Sequence, residues 1–396
     1  MHALQLYAGP KAFSAIEKNG LQPSDVCTIP AAAGGPKGLI LGALDRFIFG
    51  DWLAGSSHPV DLVGASIGAW RMATACLDQP VQAFERLEYE YIHQHYELAP
   101  GQKRPSAEFV SELFGSNLRA FYGGRIPEVL GHPRYRLHVL TTRGRHFLRR
   151  EHAVGTPLGY LGAFLTNAVH RKAMGAWLER VVFSSPSPTS TTTSGARCAA
   201  LPFGTADYRT RQVLLTEANF SPALQASCSI PFVLNAVHDI AGAPPGAYWD
   251  GGITDYHLHL DYTASATYAI KERAAPARLT GDNGINGIND VGGINGIVLY
   301  PHFQKNVVPG WLDKSLKWRH HASHHLDTML LLAPHPQWVK TLPNGKLPDR
   351  TDFTHYGNDL ASRVKAWNAA TRASVQMAEE FAEWLERPDM GRVLPL

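Results

Sequence analysis

The chain is 396 residues long, 44% hydrophobic and 18% charged, with a formal net charge of +3. That composition is ordinary for a water-soluble globular protein with a large core, and so small and dispersed a charge argues against a nucleic-acid partner. Length leaves room for two or three domains, yet α/β folds often run this long as one unit, and a single domain over 1–396 is the expectation.

From the N-terminus, MHALQLYAGPKAFSAIEKNG lacks a basic start followed by an apolar run, so no signal peptide is expected. DVCTIPAAAGGPKGLILGALDRFIFGDWL predicts a short strand, a glycine-rich turn and an apolar-faced helix from about Gly38. HPVDLVGASIGAWRMATACL repeats the plan as strand, tight turn and helix. Two such units in tandem predict a parallel sheet with crossover helices. Helical periodicity follows in QAFERLEYEYIHQHYEL and SAEFVSELFGSNLRAFYG, then a strand in YRLHVLTT, then a more apolar helical stretch, LGAFLTNAVHRKAMGAWLERVVF.

The polar, proline-containing segment 184–195 reads as a loop. RQVLLTEANFSPALQASCSIPFVL predicts a strand or turn, then a helix stopped near Pro231; GAYWDGGITDYH predicts a strand ending in an acid and two glycines. Residues 281–297 repeat Asn-Gly and Gly-Ile units, too few for a solenoid, and read as an expanded surface loop before the strand GIVLYPHF. Residues 312–332 read as an amphipathic surface helix near lipid, and a long amphipathic helix starts at Leu360, giving a helical extension over 312–387. No stretch reaches the ~18 apolar residues a membrane-spanning helix needs. Cys27, Cys76, Cys198 and Cys228 show no CxxC spacing and read as reduced thiols. A cytoplasmic protein is expected, with peripheral membrane contact left open.

Three motifs carry candidate chemistry. Gly64-Ala65-Ser66-Ile67-Gly68 matches G-x-S-x-G, which places a serine on a sharp strand-to-helix turn with its hydroxyl exposed. Taken alone it is equally a plain turn. In Ala33-Gly34-Gly35-Pro36-Lys37-Gly38 a phosphate loop fails because Gly38 follows Lys37, and a dinucleotide fingerprint fails for want of its first glycine. Two readings remain, a glycine-rich helix entry and an oxyanion hole whose donors are Gly34 and Gly35, because Pro36 has no N–H. Asp250-Gly251-Gly252 puts a carboxylate at a strand end, although such a triplet alone is usually a turn.

In that order and combination the chain resembles the patatin-like phospholipase family. The family pattern is a glycine-rich oxyanion loop with a basic residue, G-x-S-x-G some thirty residues on, and D-G-[GA] much later. ALQASCSIPF also resembles the small-residue helix and following proline seen there, and the likeness spans roughly residues 25–302. Departures are Ala33 in place of a glycine, Pro36, and Lys37 where arginine is commoner. The resemblance implies a three-layer α/β/α sandwich with a mainly parallel central sheet. It implies a Ser–Asp dyad, with Ser66 as nucleophile and Asp250 as general base. It also implies an oxyanion hole around Gly34, Gly35, Lys37, Gly38 and Ile67, an elbow shaped by Gly64 and Gly68, and an acid turn at Gly251 and Gly252. The implied substrates are acyl esters of lipids, and no metal or organic cofactor is required.

Two alternatives stand beside it, a Ser-His-Asp esterase and a non-catalytic lipid-binding protein on the same fold. The ordinary triad fold places several strands before its nucleophile, at about 30 residues per βα unit, whereas only 65 residues precede Ser66. The histidines His257, His259, His302, His320 and His324 are candidates for a third member. His320 with His324, and His321 with His325, are spaced i, i+4, which on a helix could hold a metal. No H-E-x-x-H is present and no acid is spaced to complete such a site, so no metal is expected.

Overall fold

Among the residues that the computed structural model describes, 1–96, 105–187, 196–263 and 296–396, eleven strands join one sheet. In chain order they are β1 (Leu4–Ala8), β2 (Val26–Ala31), β3 (Val60–Ala65), β4 (Tyr135–Gly144), β5 (Leu178–Ser184), β6 (Thr210–Leu214), β7 (Val237–His238), β8 (Ala247–Asp250), β9 (Ile297–Pro301), β10 (Met329–Pro334) and β11 (Val393–Pro395). Their spatial order is β11-β1-β10-β9-β2-β3-β4-β5-β6, with β8 on β4 and β7 on β8. Parallel pairings predominate; the antiparallel ones are β1–β10, β4–β5, β4–β8 and β7–β8. The α/β/α sandwich with a mainly parallel sheet is therefore the observed fold.

The central strands VDLVGA, IVLYP and MLLLAP are buried at every position. A strand buried on both faces reads as a continuous apolar run, because helices cover the sheet on each side. One covering helix, Ile67–Ala75, is itself buried at all nine residues. It follows β3 directly, as the second strand–turn–helix unit predicts.

Strand β4 decides where the site forms. Along one edge it pairs with β5 over His138–Gly144. Along the other it pairs first with β3, ending at Ala65 opposite Leu140, and then with β8, where Thr141 faces Asp250. The ends of β3 and β8 therefore meet at adjacent residues of one template. Residues 66 and 250, far apart in sequence, are delivered to the same point.

Several sequence expectations are corrected. The apolar stretch after Leu161 is a helix only to Val169; LERVVFS is β5, held in place by antiparallel pairing with β4. Residues 312–332 are no amphipathic helix. Short 3-10 turns at Trp311–Asp313, Lys317–Arg319 and His324–Leu326 lead into β10, which lies between β1 and β9. A short apolar run cannot be told from a buried helix by periodicity, and long-range pairing settled it as strand. The extension 312–387 is consequently not wholly helical, and the i, i+4 histidines fall on separate turns rather than on one helical face. The helix from Leu360 is two, Leu360–Ala373 and Val375–Glu386, broken at Ser374, whose hydroxyl donates to the Thr371 carbonyl at 2.7 Å. Of the two loops read from composition, residues 188–195 and 281–295 lie outside the described residues, and Ile297 already opens β9. No described helix is long and apolar enough to cross a membrane.

Candidate active site

The strand-to-helix turn after β3 holds Ser66 at φ 57° and ψ −130°, a conformation a non-glycine residue rarely adopts. Holding it there costs about 1–3 kcal/mol, which the surrounding packing must supply. The flanking glycines allow the approach. A Cβ on Gly68 would stand 1.9 Å from the Ala31 carbonyl oxygen, and one on Gly64 would stand 2.4 Å from Ala69 Cα. Ser66 is almost fully buried, and its hydroxyl donates to Asp250 Oδ2 at 2.7 Å.

Asp250, the last residue of β8, is held on both sides. The Gly252 N–H donates to its Oδ1 at 2.7 Å, which leaves Oδ2 for the serine. The end of the helix Glu217–Cys228 clamps the junction. Ser227 Oγ accepts from the Ser66 N–H at 2.9 Å and donates to the Leu140 carbonyl at 2.7 Å, where β4 passes from β3 to β8. The Asp250 and Gly251 N–H groups donate to the Ser229 and Ser227 carbonyls. Gly251 is needed because a Cβ there would lie 2.1 Å from the Leu140 carbonyl oxygen. Burial raises the Asp250 carboxyl above its ordinary range, against the lowering effect of the Ser66 hydrogen bond, the Arg350 charge, the Gly252 N–H and Lys314. A carboxylate so placed is a stronger base than an exposed one.

The glycine-rich loop leaves β2 and enters the 3-10 turn Gly35–Leu41. Gly35 takes φ 56°, the left-handed region that favours glycine. Among the described residues the Gly34 and Gly35 N–H groups find no acceptor. The Ile67 N–H, first in its helix, has no intrahelical partner either. Gly38 lies within the turn and packs on Ile67. Beside Gly34 opens a cavity of about 200 Å³, walled by Ala33, Gly34 and Lys37 from the loop, by Asp250 and Gly252, and by Ile230 and Pro231, whereas Gly35, Gly38 and Ile67 line a separate, smaller pocket with Arg71. Ser66 lies one hydrogen bond behind that wall.

The family model of patatin-like phospholipases matches residues 32–257, more than half of the chain. The protein belongs to the patatin-like phospholipase family. Membership points to lipid acyl hydrolysis in general. No curated protein matches the chain.

The far wall of the cavity comes from beyond the patatin-like segment. Trp311, Lys314, Asp349, Arg350 and Thr351 complete it, and none of them was singled out by sequence reasoning. Lys37, Lys314 and Arg350 thus share one cavity, and among the described residues none of the three has an ion-pair partner. Lys314 crosses the Tyr256 ring at 4.0 Å, and Lys37 stands 5.4 Å from the Phe303 ring centre. Burial and the charges of Arg350 and Lys37 bring the Lys314 ammonium down to about 8; burial is also the main cause lowering Lys37.

An acid lies next to two of these cations, buried beside Lys314 and half-buried beside Arg350. Asp313, next to Lys314, accepts from Asn167, Arg171 and Arg319 at 2.9, 3.0 and 2.9 Å. Arg350 follows Asp349, which binds Lys346 at 2.7 Å, and Lys346 also binds Asp352. A similar device anchors the acid turn. Asp255, buried, forms a two-point pair with Arg180 at 2.6 and 2.7 Å, and Arg180 reaches Asp207 as well.

The histidines are placed elsewhere. Among the described residues no imidazole hydrogen-bonds to Ser66 or Asp250. His257 turns Nδ1 to the Asn306 carbonyl at 3.0 Å, and His259 bridges the Val307 carbonyl and Ser323. Burial drives His257 well below its ordinary value and His302 down to about 3. His320 Nε2 meets the Asp313 carbonyl.

Proposed function

We propose that the protein is a serine acyl hydrolase that cleaves carboxylic ester bonds of lipids through a Ser66–Asp250 dyad. The observation that carries this reading is the 2.7 Å hydrogen bond from Ser66 Oγ to Asp250 Oδ2, beside a cavity that Asp250 and Gly34 both line. Ser66 Oγ attacks the ester carbonyl as Asp250 Oδ2 takes its proton. The N–H groups of Gly34, Gly35 and Ile67 are the donors for the oxygen that becomes negative. The C–O bond to the alcohol breaks, Asp250 returns the proton to the leaving oxygen, and an acyl-Ser66 ester remains. Water, deprotonated by Asp250, then releases the carboxylic acid and restores Ser66. The proton cycle closes on the chain's own groups, so the scheme calls for no metal or organic cofactor.

The intact Ser–Asp contact favours this reading over a non-catalytic lipid carrier, and the lack of any imidazole hydrogen bond to Ser66 or Asp250 among the described residues favours a dyad over a Ser-His-Asp triad. Lys37, Lys314 and Arg350 favour lipids that carry an anionic group near the ester. Four free thiols fit a reducing compartment such as the cytoplasm. Labelling with a fluorophosphonate tests the assignment. Covalent modification that disappears in Ser66→Ala is expected; wild-type protein that stays unlabelled and turns over no ester would leave only the carrier.

A further inference from the structure

The helix Gly155–Val169 contains no Asp, Glu, Lys, Arg or His. Its inner side packs through Tyr160, Ala163 and Asn167, all buried. Its outer side should by the usual amphipathic rule be polar. Instead Val154, Leu158, Leu161, Leu165 and Val169 each stand more than half exposed. At about 100° per residue these positions share an arc of about 80° on one face. Phe147, on the turn His146–Arg149 packed against the helix, is also exposed. So is Phe232, whose ring lies 6.1 Å from that of Tyr160, and so is Trp318, beside an arginine bound to the Ala168 carbonyl. Among the described residues, most of the large exposed apolar side chains are thus gathered around one helix. Isolated exposed apolar residues are normal; a gathered patch marks an interaction surface.

The patch adjoins the cavity. Ile230 and Pro231 line it, and Phe232, next in the chain, is exposed with its ring against Tyr160 of the helix. Exposed basic residues bracket the stripe, with Arg149 and Arg150 before it and Lys172 after it; Arg150 pairs with Asp239 at 2.8 Å, and Arg171 turns inward to Asp313. Among the described residues Arg149 and Lys172 form no ion pair, so the rim of the stripe keeps a positive charge.

We propose that this face docks on an anionic lipid surface and so presents the cavity mouth to assembled substrate. An apolar stripe bracketed by cations matches the acyl–headgroup boundary of such a surface. A second copy of the chain fits less well, because a two-fold contact would close the cationic rim of Arg149 and Lys172 in one copy over the same rim in the other. The choice of lipid as occupant rests on the acyl-hydrolase reading, but binding and turnover are separable.

Ser66→Ala protein is mixed with vesicles of phosphatidylcholine, with and without phosphatidylglycerol, and sedimented. Binding to the phosphatidylglycerol vesicles is expected. It should fall at least tenfold when Leu161→Gln and Leu165→Gln are added, and persist with Leu161→Phe and Leu165→Phe. With Ser66 intact, the glutamine pair should hydrolyse a short, soluble ester at the wild-type rate, which shows that the fold is kept. Three results overturn the proposal: no vesicle binding by the parent, equal binding by the glutamine pair, or a solution dimer that the glutamine pair dissociates. Absence of ester turnover would strike the hydrolase reading alone, since binding is measured without it.

Discussion

Segments 26–75 and 296–396 both place strands in the middle of one sheet, and both wall the same cavity, yet they reveal themselves very differently. The first writes its geometry into short-range chemistry. Glycines flank Ser66 because the helix after β3 must touch β2, and a Cβ on Gly68 would collide with the Ala31 carbonyl. The second carries no motif. Its contribution depends on β9 and β10 finding partners elsewhere in the chain, and on buried acids such as Asp313 next to a lysine of the cavity wall. Catalytic chemistry is local and repetitive in form, whereas the far wall of a pocket is assembled at long range. That contrast can be broken or sharpened by substitution.

The largest effect is expected in the first region. Ser66→Ala and Asp250→Asn should each lower turnover of a soluble ester by at least about 10³-fold, since either removes one half of a proton transfer. Asp250→Asn separates chemistry from stability. The buried carboxylate titrates above its ordinary range, so its charged form opposes folding at neutral pH, and removing it should leave the melting temperature equal or higher. A variant that melts far lower would place Asp250 among structural groups. The same shift sets a pH profile in the wild type. Activity should be lost as pH falls through the Asp250 pKa, at a pH above that of an unperturbed aspartate, and retained above it; an acid limb near 3.8 would contradict this.

A comparable structural test concerns the anchor of the acid turn, which lies outside both regions. Arg180 is completely buried and pairs with Asp255 and Asp207. Arg180→Ala leaves buried Asp255 with only the 3.4 Å contact to Arg171 and should cost about 3–5 kcal/mol, read from the denaturant midpoint at constant m-value. A loss below 1 kcal/mol would mean that the acid turn is held by its packing alone.

These expectations also mark how far sequence reading reached. The two strand–turn–helix units, the strand ending at Asp250 and the mainly parallel sheet were legible, because each rests on apolar runs punctuated by glycine. The order of the motifs was enough to suggest the family. Ser227 was within reach only as part of a small-residue helix; its hydrogen bonds to Ser66 and Leu140 exist only once β4 has collected β3 and β8. β10 was misread as part of a helix, since MLLLAP fits a buried strand and a buried helix equally. Lys314 and Arg350 had no signal at all. A basic residue in a loop is ordinary until the fold shows what it faces.

The smallest effect, and the most informative about the second region, is on selectivity. Lys314→Gln and Arg350→Gln should each reduce the preference for an anionic ester over a matched neutral one by about tenfold, close to the 1.4 kcal/mol that one charged contact readily supplies. The pH dependence carries a signature that a merely structural lysine lacks. The Lys314 pKa lies near 8, below the 10.5 of a free lysine, because burial and two neighbouring cations disfavour its charge. Its charged form therefore opposes folding below about pH 8, and that opposition is relieved between 8 and 10.5. Recognition runs the other way, with the ammonium available to an anion below about 8 and withdrawn above it. The KM of the anionic ester should accordingly climb through that range in the wild type and stay level in Lys314→Gln, while the matched neutral ester shows no such climb in either protein. A bound anion favours the ammonium form, so by linkage saturating inorganic phosphate should move the transition to higher pH. An identical KM profile for both esters would remove Lys314 from substrate recognition and leave the cavity's selectivity to Lys37 and Arg350.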